Sequence, residues 1–542
     1  MRLSEVPVSR EAPQRAAGLA KPLEVDRQAF ALPVAEARRL GTGGAALFRR
    51  DGLGGLGFGA SGGGFLERAA GGGGQGLAGR GARNLIRLVS GVHWFDLGAM
   101  STEPKPDPSP DVKGMAARRA ALKLVEAGLE RRGGMDEALQ AHGFLALSAT
   151  ERAWARGLAA TVFRRLGPID QALQARLASP PPPAVTDLLR LGAGQLLYRD
   201  TPAHAAVATT VSMAEEGNGT RPFKGLINAV LRRLADAPPA PSPEAHLPPW
   251  LFARWRAAYG EAAALALAAA VPLEPPTDLT PKDPAEIDAL AELLEAEILP
   301  GGSLRVRRRG EITGWPGFEE GRWWVQDAAA ALPARLLHAR PGEIVLDLCA
   351  APGGKTLQLA ATGAQVTALD RSAARLKRLK ANLLRMGLKA DAQAVDVFAW
   401  ADKREFDAVL LDAPCSATGT FRRHPDVLWG ARPSDIAKLA ETQGKMLDAA
   451  AARVKPGGRL VYCVCSLEPE EGEGQVAPFL ARNPGFALAP VAAGEAGTPV
   501  EALAANRPGV RLTPSLWEPQ GGMDGFFIAR FIRAEQTSIS GA

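Results

Sequence analysis

The chain has 542 residues, of which 46% are hydrophobic and 23% are charged, and Lys plus Arg exceed Asp plus Glu by 64 to 58. Domains usually hold about 100 to 200 residues, so the length predicts three or more, and the composition excludes a disordered, fibrous or membrane-spanning chain. The charge excess is too small to indicate a nucleic-acid partner by itself. The most apolar run, residues 262–271, is shorter than the ~20 residues of a membrane span, and no signal-like segment follows Met1, so we expect a cytoplasmic location.

Glycine dominates an early part of the chain. Residues 41–81 contain 18 of the 60 glycines, and such a stretch cannot offset its ordering entropy with buried apolar surface. We therefore expect residues 1–114 to be a disordered glycine-rich extension and linker. Met100 opens a polar, proline-rich lead-in, and we interpret residues 1–99 as the product of an upstream start-codon assignment.

Apolar residues then recur at helical spacing, which predicts an all-α domain over residues 115–237. A proline-rich linker opens the next region, which we interpret as a small α+β module over residues 238–325. In the all-α domain the predicted helices include residues 153–166 and 185–197. In the small module we predict helices over residues 251–270 and 285–297 and a strand near residues 304–307.

Basic and aromatic residues follow one another inside this module. They are Arg305, Arg307, Arg308 and Arg309, then Trp315, Trp323 and Trp324. Such a segment would suit contact with RNA phosphates and stacking on bases. The alternative is a solvated charged strand beside buried tryptophans, and the segment taken alone favours this alternative.

Strands and helices alternate over residues 326–535. The predicted strands are residues 343–348, 365–369, 390–395, 407–411 and 459–464, with helices such as residues 374–386 and 436–454 between them. Because the strands are apolar on both faces, this pattern predicts a Rossmann-like α/β domain with a doubly wound parallel sheet. Ligands bind beyond the carboxyl ends of such strands, so the strand-end residues are the candidates for function.

The first of these strands runs into a loop of small residues. The loop is Cys349, Ala350, Ala351, Pro352, Gly353, Gly354 and Lys355. A phosphate-binding P-loop would need a glycine where Cys349 stands, and the Gly-x-Gly-x-x-Gly pattern of a dinucleotide site is absent. The third interpretation is a site for S-adenosylmethionine (SAM), whose nucleoside and methionine parts would lie across the strand ends.

Carboxylates at successive strand ends favour the SAM interpretation. Asp370 follows Asp347 by 23 residues, about the spacing at which an acidic residue meets ribose hydroxyls. Asp396 ends the next predicted strand, where it would accept from an adenine amino group. A single strand-end Asp is more often a helix cap or a turn residue. Three of them in successive strands, after a glycine-rich loop, indicate a ligand.

Cysteines end the two strands that follow. Asp412 precedes Cys415 by three residues, and Cys463 and Cys465 close the last predicted strand. A zinc site would need Cys349 as well and has no Cys-x-x-Cys pair, so we predict no metal. For Cys349 and Cys463 we favour inert packing.

Two thiols beside SAM suit one reaction. C5 of cytosine becomes nucleophilic when a thiolate adds at C6, and the second thiol would assist release. Asp412 would hydrogen-bond the base near N3 or N4. This chemistry leaves open which cysteine attacks.

At these residues the sequence resembles the RNA cytosine-C5 methyltransferases, over residues 115–533. The shared motifs are Gln326-Asp327, Cys349 to Lys355, Asp370, Asp396, Asp412-Ala-Pro-Cys-Ser-Ala-Thr-Gly419, Arg422-Arg423-His424-Pro425-Asp426 and Asp524-Gly525-Phe526-Phe527. The resemblance implies that Cys465 attacks C6 and Cys415 aids release, and it assigns the loop and the three aspartates Asp370, Asp396 and Asp412 to SAM contact. The family usually has Tyr-Ser-Thr-Cys-Ser where this chain has Tyr-Cys-Val-Cys-Ser ending at Ser466.

The helical part is similar to the NusB-like RNA-binding domain. The segments that carry the similarity are Leu191-Gly-Ala-Gly-Gln-Leu-Leu197, Pro202-Ala-His-Ala-Ala-Val207 and Lys224-Gly-Leu-Ile-Asn-Ala-Val-Leu-Arg-Arg233. Arg118, Arg119, Arg232 and Arg233 are candidate phosphate contacts, although solvated helix faces explain them equally well.

The resemblance implies a SAM-dependent enzyme that methylates C5 of one cytidine in small-subunit rRNA. We expect small-subunit rRNA as its partner, and a monomer without contact to membranes. The alternatives are the same chemistry on transfer RNA and a non-catalytic RNA-binding factor of ribosome assembly or antitermination. A binding factor would need neither cysteine, whereas the NusB-like domain argues against transfer RNA by analogy alone.

Overall fold

The structure is a computed structural model that describes residues 114–130, 134–238, 240–308, 310–504 and 507–535. The expected extension over residues 1–114, and with it the start-codon interpretation of residues 1–99, lies outside these ranges except for Gly114. Among the described residues, no helix is long and apolar enough to cross a membrane.

The first described part is a bundle of helices. They are α1 (Met115–Leu129), α2 (Gly134–Ala138), α3 (His142–Leu145), α4 (Ala149–Arg164), α5 (Leu166–Gln174), α6 (Pro183–Tyr198), α7 (Ala203–Glu216) and α8 (Lys224–Asp236). Ser148 and Glu151 form a capping box that begins α4. Leu158 and Val162, one turn apart on α4, are fully buried in the bundle core. The helical spacing of apolar residues therefore places this core, as the sequence predicts.

Two helical segments predicted in the small module are present but differ in extent from the prediction. The prediction over residues 251–270 gives two helices, α9 (Pro249–Tyr259) and α10 (Glu261–Ala270), because Gly260 adopts a φ of 88° and a ψ of 164° between them. The prediction over residues 285–297 gives only α11 (Ile287–Leu294). Glu295 ends α11 in the left-handed region, with a φ of 52°.

The module contains an antiparallel sheet whose strand order is β2-β3-β1-β4. The strands are β1 (Thr277–Pro281), β2 (Glu297–Leu299), β3 (Ser303–Val306) and β4 (Trp323–Val325). Arg305 on β3 and Asp278 on β1 form a fully buried ion pair at 2.7 Å, and Trp323 and Trp324 are buried. The tryptophans are buried, as the alternative predicts, but that alternative is wrong in expecting a solvated strand, because Arg305 is buried too and is therefore unavailable to RNA. Arg309 lies outside the described residues.

The C-terminal domain is an α/β sandwich. Its elements are α12 (Ala328–Leu336), β5 (Ile344–Leu348), α13 (Gly354–Ala361), β6 (Gln365–Asp370), α14 (Ala373–Met386), β7 (Asp391–Ala394), β8 (Phe406–Asp412), α15 (Val427–Gly430), α16 (Pro433–Ala451), β9 (Val454–Val464), α17 (Glu473–Arg482), β10 (Phe486–Leu488), β11 (Val510–Leu512) and β12 (Phe526–Arg533).

The five predicted strands form a parallel sheet, as expected, but the sheet continues with three antiparallel strands that the sequence did not predict. The strand order is β10-β12-β9-β8-β5-β6-β7, with β11 beside β12. Strands β5 to β9 are parallel, but β12 pairs antiparallel with β9, β10 and β11. The sheet is therefore mixed, and its parallel half brings the carboxyl ends of five strands to one edge.

Both faces of the sheet are covered by helices, as the apolar strands predict. Leu346 and Leu460 point to one face, where α16 and α17 pack. Val345 and Val461 point to the other, where α12 and α13 pack. This double cover holds the strand ends in fixed register.

The helical bundle contacts the C-terminal domain at the segment that follows Cys415. The Met135 N–H donates to Oδ2 of Asp426 at 3.1 Å, and the Trp429 indole donates to the Phe163 carbonyl at 3.1 Å. The helical domain is thus hydrogen-bonded to the segment that leads from the Cys415 thiol into α15.

Candidate active site

The sheet register brings the predicted strand-end residues together. Leu348 on β5 is level with Leu369 on β6 and with Leu411 on β8. Asp412 on β8 is level with Cys463 on β9. The loop that begins at Cys349, Asp370, Asp412 and the two cysteine segments therefore share one edge of the sheet.

The loop after β5 is fixed by Asp370. The Ala351 N–H donates to Oδ2 of Asp370 at 3.1 Å, and the Ser372 N–H donates to Oδ1 at 2.8 Å. Cys349 has a φ of 62°, and Gly353 has a φ of 112° at the N-terminus of α13. A carboxylate oxygen can accept two hydrogen bonds and each Asp370 oxygen accepts one of these, so Asp370 keeps acceptor capacity for ligand hydroxyls.

Asp347 lies beneath this loop rather than in it. It is fully buried, and the Thr356 hydroxyl donates to its Oδ2 at 2.6 Å. Burial raises the pKa of Asp347 to about 7. The Asp347 carboxyl therefore joins β5 to α13. Unlike Asp370 and Asp396, it has a structural role.

Asp396 is exposed and does not end its strand. It follows β7 by two residues and caps a short turn, where its Oδ1 accepts from the Phe398 N–H at 2.9 Å. The exposed carboxylate still lies at the carboxyl end of the strand next to β6.

Asp412 links the loop to the cysteines. Lys355 Nζ donates to Oδ2 of Asp412 at 2.8 Å, and the Cys463 thiol donates to Oδ1 at 3.3 Å. Burial opposes the charge of Lys355, but the Asp412 carboxylate raises the pKa of Lys355 above its ordinary value. Burial also raises the pKa of Cys463 well above its ordinary value. Cys463 is therefore a buried thiol, as expected from the sequence, but it is not inert because it donates a hydrogen bond to Asp412.

The two remaining strand-end thiols form a pair. Sγ of Cys415 lies 3.5 Å from Sγ of Cys465. The hydrogen bond between these thiols, followed by burial, raises the pKa of Cys415 well above its ordinary value. Burial likewise raises the pKa of Cys349 to about 12, and Cys349 takes no part in the pair. In the described part of the chain, no group of three His, Cys, Asp or Glu residues is arranged to hold a metal.

Sequence reasoning missed a buried carboxylate behind the thiol pair. Glu471 is fully buried. Its Oε1 accepts from the Ser416 N–H at 2.9 Å and from Gln443 at 3.0 Å. Its Oε2 accepts from the hydroxyls of Ser416 and Ser466, both at 2.5 Å. The only signal in the sequence is the acidic run over residues 468–473, which by itself is typical of a solvated turn.

Three other motifs singled out in the sequence meet in one ion cluster. Arg423 binds the carboxylate of Asp327, and its Nε lies 3.2 Å from Oδ2 of Asp524. The Asp524 N–H donates to Oδ1 of Asp327 at 3.2 Å. These three motifs therefore hold the loop after Cys415 against the residues that precede α12 and β12.

The candidate RNA contacts on the helical domain differ in availability. The Arg118 guanidinium binds Gln195 at 2.8 Å and lies over the Trp154 ring. Arg119 binds Glu216 at 2.7 Å. Arg232 and Arg233 are exposed on α8, so they are the better placed of the four for phosphate contact.

Comparison with known proteins identifies both parts of the chain. The family described as 16S rRNA methyltransferase RsmB/F matches residues 334–532, and the NusB family matches residues 115–236. Ribosomal RNA small subunit methyltransferase B of Salmonella arizonae is 39% identical over 365 residues, which cover 64% of this chain and 81% of that protein. The same enzyme of Klebsiella pneumoniae is 37% identical over 410 residues, which cover 71% and 91%.

Among solved structures, the crystal structure of PH0851 is similar in fold. It covers 77% of this chain and 98% of its own, with a TM-score of 0.63 and 24% identity. The sequence matches show that the chain belongs to the ribosomal RNA small subunit methyltransferase B family, and the two family models place a NusB domain before the methyltransferase domain in this chain.

Proposed function

We propose that the protein transfers a methyl group from SAM to C5 of a cytidine in 16S rRNA, with Cys465 as the nucleophile. The observation that carries the proposal is the pair of thiols of Cys415 and Cys465, 3.5 Å apart at the carboxyl edge of the sheet. Neither SAM binding alone nor RNA binding alone requires two adjacent thiols. Covalent catalysis on a pyrimidine requires one thiol to attack C6 of the ring, and a second thiol beside it can assist release of the methylated base.

The strand ends offer a donor and acceptor set that fits SAM. We assign Asp370 to the ribose hydroxyls and Asp396 to the adenine amino group, because both carboxylates lie at neighbouring strand ends and keep acceptor capacity. The contacting loop is Cys349, Ala350, Ala351, Pro352, Gly353, Gly354 and Lys355. When bound, SAM supplies an electrophilic methyl group on its sulfonium.

Addition of the Cys465 thiolate to C6 forms a carbon–sulfur bond and moves the electron pair of the C5–C6 double bond to C5. C5 then takes the methyl group, whose former sulfonium sulfur is left as a neutral thioether. Water accepts the C5 proton, the electron pair of the broken C–H bond restores the C5–C6 double bond, and the Cys465 sulfur leaves C6 as a thiolate. Cys415 suits the second half-reaction, because its raised pKa keeps it as a thiol whose S–H can donate a hydrogen bond to the Cys465 sulfur as that sulfur leaves C6.

Asp412 lies between the cofactor loop and the thiols through its bonds to Lys355 and Cys463. We assign it to the boundary of the two ligands, with contact to SAM and to the base near N3 or N4. In this chain the Cys463 thiol occupies the place of a serine in the usual family pattern, so a thiol donates to Asp412 where a hydroxyl normally stands.

The names of the relatives support a small-subunit rRNA substrate. The helical domain would hold the folded RNA while the target base leaves its stack. This assignment implies that the protein works where ribosomes are assembled, in the cytoplasm.

The test is transfer of a labelled methyl group from SAM to a 16S rRNA transcript, followed by digestion to nucleosides. We expect the label in 5-methylcytidine with the wild-type protein and no label with Cys465→Ala. Label in another nucleoside, or transfer to transfer RNA in place of 16S rRNA, would contradict the proposal.

A further inference from the structure

The carboxylate of Glu471 lies between the two segments that carry the thiol pair. Ser416 follows Cys415, and Ser466 follows Cys465. Both hydroxyls donate to the same oxygen, Oε2 of Glu471, at 2.5 Å. A single side chain therefore ties two segments that lie 50 residues apart in the sequence.

The contacts on the other oxygen fix the orientation of this carboxylate. Oε1 accepts from the Ser416 N–H at 2.9 Å and from Gln443 Nε2 at 3.0 Å. The Tyr462 hydroxyl donates to the backbone carbonyl of Glu471 at 2.5 Å. Among the described residues, the carboxylate meets hydroxyls, an amide and a backbone N–H, and no Lys or Arg forms an ion pair with it.

A buried carboxylate needs hydrogen-bond donors to offset the loss of water. Glu471 has four, and three of them belong to the serines that follow the two cysteines. Moving either cysteine segment away would strip donors from a buried charge. The arrangement therefore opposes any widening of the gap between the thiols.

We infer that Glu471 is a positioning residue, whose buried carboxylate holds the Cys415 and Cys465 thiols side by side for attack and release. The inference rests on the proposed function for its catalytic consequence, but the geometric part stands on the contacts alone. Reacting groups lose on the order of 100-fold in rate when they are misplaced by about 1 Å. The negative charge of Glu471 also contributes, after the Cys465 hydrogen bond and burial, to the raised pKa of Cys415.

Two readouts test the inference on the full chain. The first is the rate at which diamide oxidises Cys415 and Cys465 to a disulfide, followed by mass spectrometry of the linked peptides. This reaction brings the sulfurs from 3.5 Å to about 2.05 Å, so its rate reports their spacing without any RNA. The second is a comparison of kcat, the KM for 16S rRNA and the dissociation constant of SAM.

Glu471→Gln replaces one carboxylate oxygen with an NH2 group, which cannot accept hydrogen bonds. Depending on how the amide is oriented, either the two serine hydroxyls or the Ser416 N–H and Gln443 lose their acceptor. We expect slower disulfide formation and a kcat lowered by about 100-fold, with KM and SAM binding within about twofold. Ser466→Ala removes one donor and leaves the buried carboxylate three others, so we expect this variant to fold. It replaces Glu471→Gln in the test if Glu471→Gln does not fold. For Ser466→Ala we expect a kcat lowered by about tenfold.

Glu470→Gln is the matched control, because this neighbouring carboxylate is 51% exposed and pairs with Arg254 at the surface. It should match the wild type in both readouts. The inference would be overturned if folded Glu471→Gln formed the disulfide and turned over as fast as the wild type. If Glu471→Gln does not fold, the same result for Ser466→Ala would overturn it. A change confined to KM or to SAM binding would also overturn it. Absence of methyl transfer by the wild type would instead refute the proposed function, and the disulfide rates would still decide whether Glu471 holds the thiols.

Discussion

Gly419 and Gly525 lie so close together that a β-carbon built on Gly419 would be 2.1 Å from the carbonyl oxygen of Gly525. The Gly525 N–H donates to the Gly419 carbonyl at 2.8 Å, and the Gly419 N–H donates to the Cys465 carbonyl at 3.0 Å. The loop that follows Cys415 is thus held in place between the segment after β9 and the start of β12.

Gly419→Ala should therefore displace this loop and the thiol it carries. We expect methyl transfer to fall by about 100-fold, because the two thiols would no longer share one base, while SAM binding stays unchanged. Gly143→Ala on α3 is the control, since a β-carbon there meets no atom within 4 Å. Single-turnover rates and SAM titration check both variants, and equal rates would contradict the account of the loop.

Asp347 predicts a pH dependence of stability. Its pKa is raised by burial to about 7 in the folded protein, so the folded state holds a proton that the unfolded chain releases near pH 4. Between about pH 4 and pH 7 the folded state binds more protons, and stability falls as the pH rises through this window, by up to about 4 kcal/mol. Asp347→Asn should remove this fall.

Urea unfolding at pH 4.5 and pH 8 measures the effect. The wild type should lose more stability between the two values than Asp347→Asn does, and Asp288→Asn, at a carboxylate in the first turn of α11, should behave as the wild type. The same loss of stability in all three proteins would show that Asp347 is ionised in the fold.

Arg423 carries the buried ion cluster, since its guanidinium meets Asp327 and Asp524 and lies 3.8 Å from Asp278. Arg423→Leu would leave these buried carboxylates without their shared partner. We expect the free energy of unfolding to fall by about 3 to 5 kcal/mol. Arg404→Leu, which breaks a solvent-screened pair with Asp402 at the surface, should lower the free energy of unfolding far less in the same denaturation experiment. Equal losses would contradict the structural role of the cluster.

Arg232 and Arg233 are exposed on α8 and should contact RNA phosphates. Replacing both with Ala should weaken binding to a 16S rRNA transcript and lower the slope of log affinity against log salt by about one for each phosphate that is no longer neutralised. Arg119→Ala is the control, because Glu216 already binds that guanidinium. Filter binding over a range of salt concentrations measures the slopes. A slope unchanged in the double variant would place the RNA elsewhere.

The sequence predicted the parts of the molecule that depend on local patterns. Helical spacing indicated the bundle, and the loop at Cys349 with the strand-end Asp370 and Asp412 indicated the edge where the structure collects them. The break at Gly260 was missed because alanine-rich segments on both sides favour a continuous helix.

Features that depend on distant pairing were not predicted. Strand β12 pairs with β9, which ends more than 60 residues earlier, so local patterns could not show that the sheet is mixed. Glu471 meets Ser416 across 55 residues, and acidic side chains in a turn are usually exposed. Such contacts can be predicted only once the pairing and register of the strands are known.

The covalent adduct with 5-fluorocytidine-substituted 16S rRNA tests the proposed chemistry most directly, because fluorine at C5 blocks the final elimination. With SAM present, denaturing gels should show a protein–RNA adduct for the wild type and for Cys415→Ala, and none for Cys465→Ala. An adduct absent only in Cys415→Ala would reverse the roles of the two thiols. No adduct with any of the three proteins, while SAM still binds, would contradict covalent catalysis on this RNA and favour a binding role for the chain.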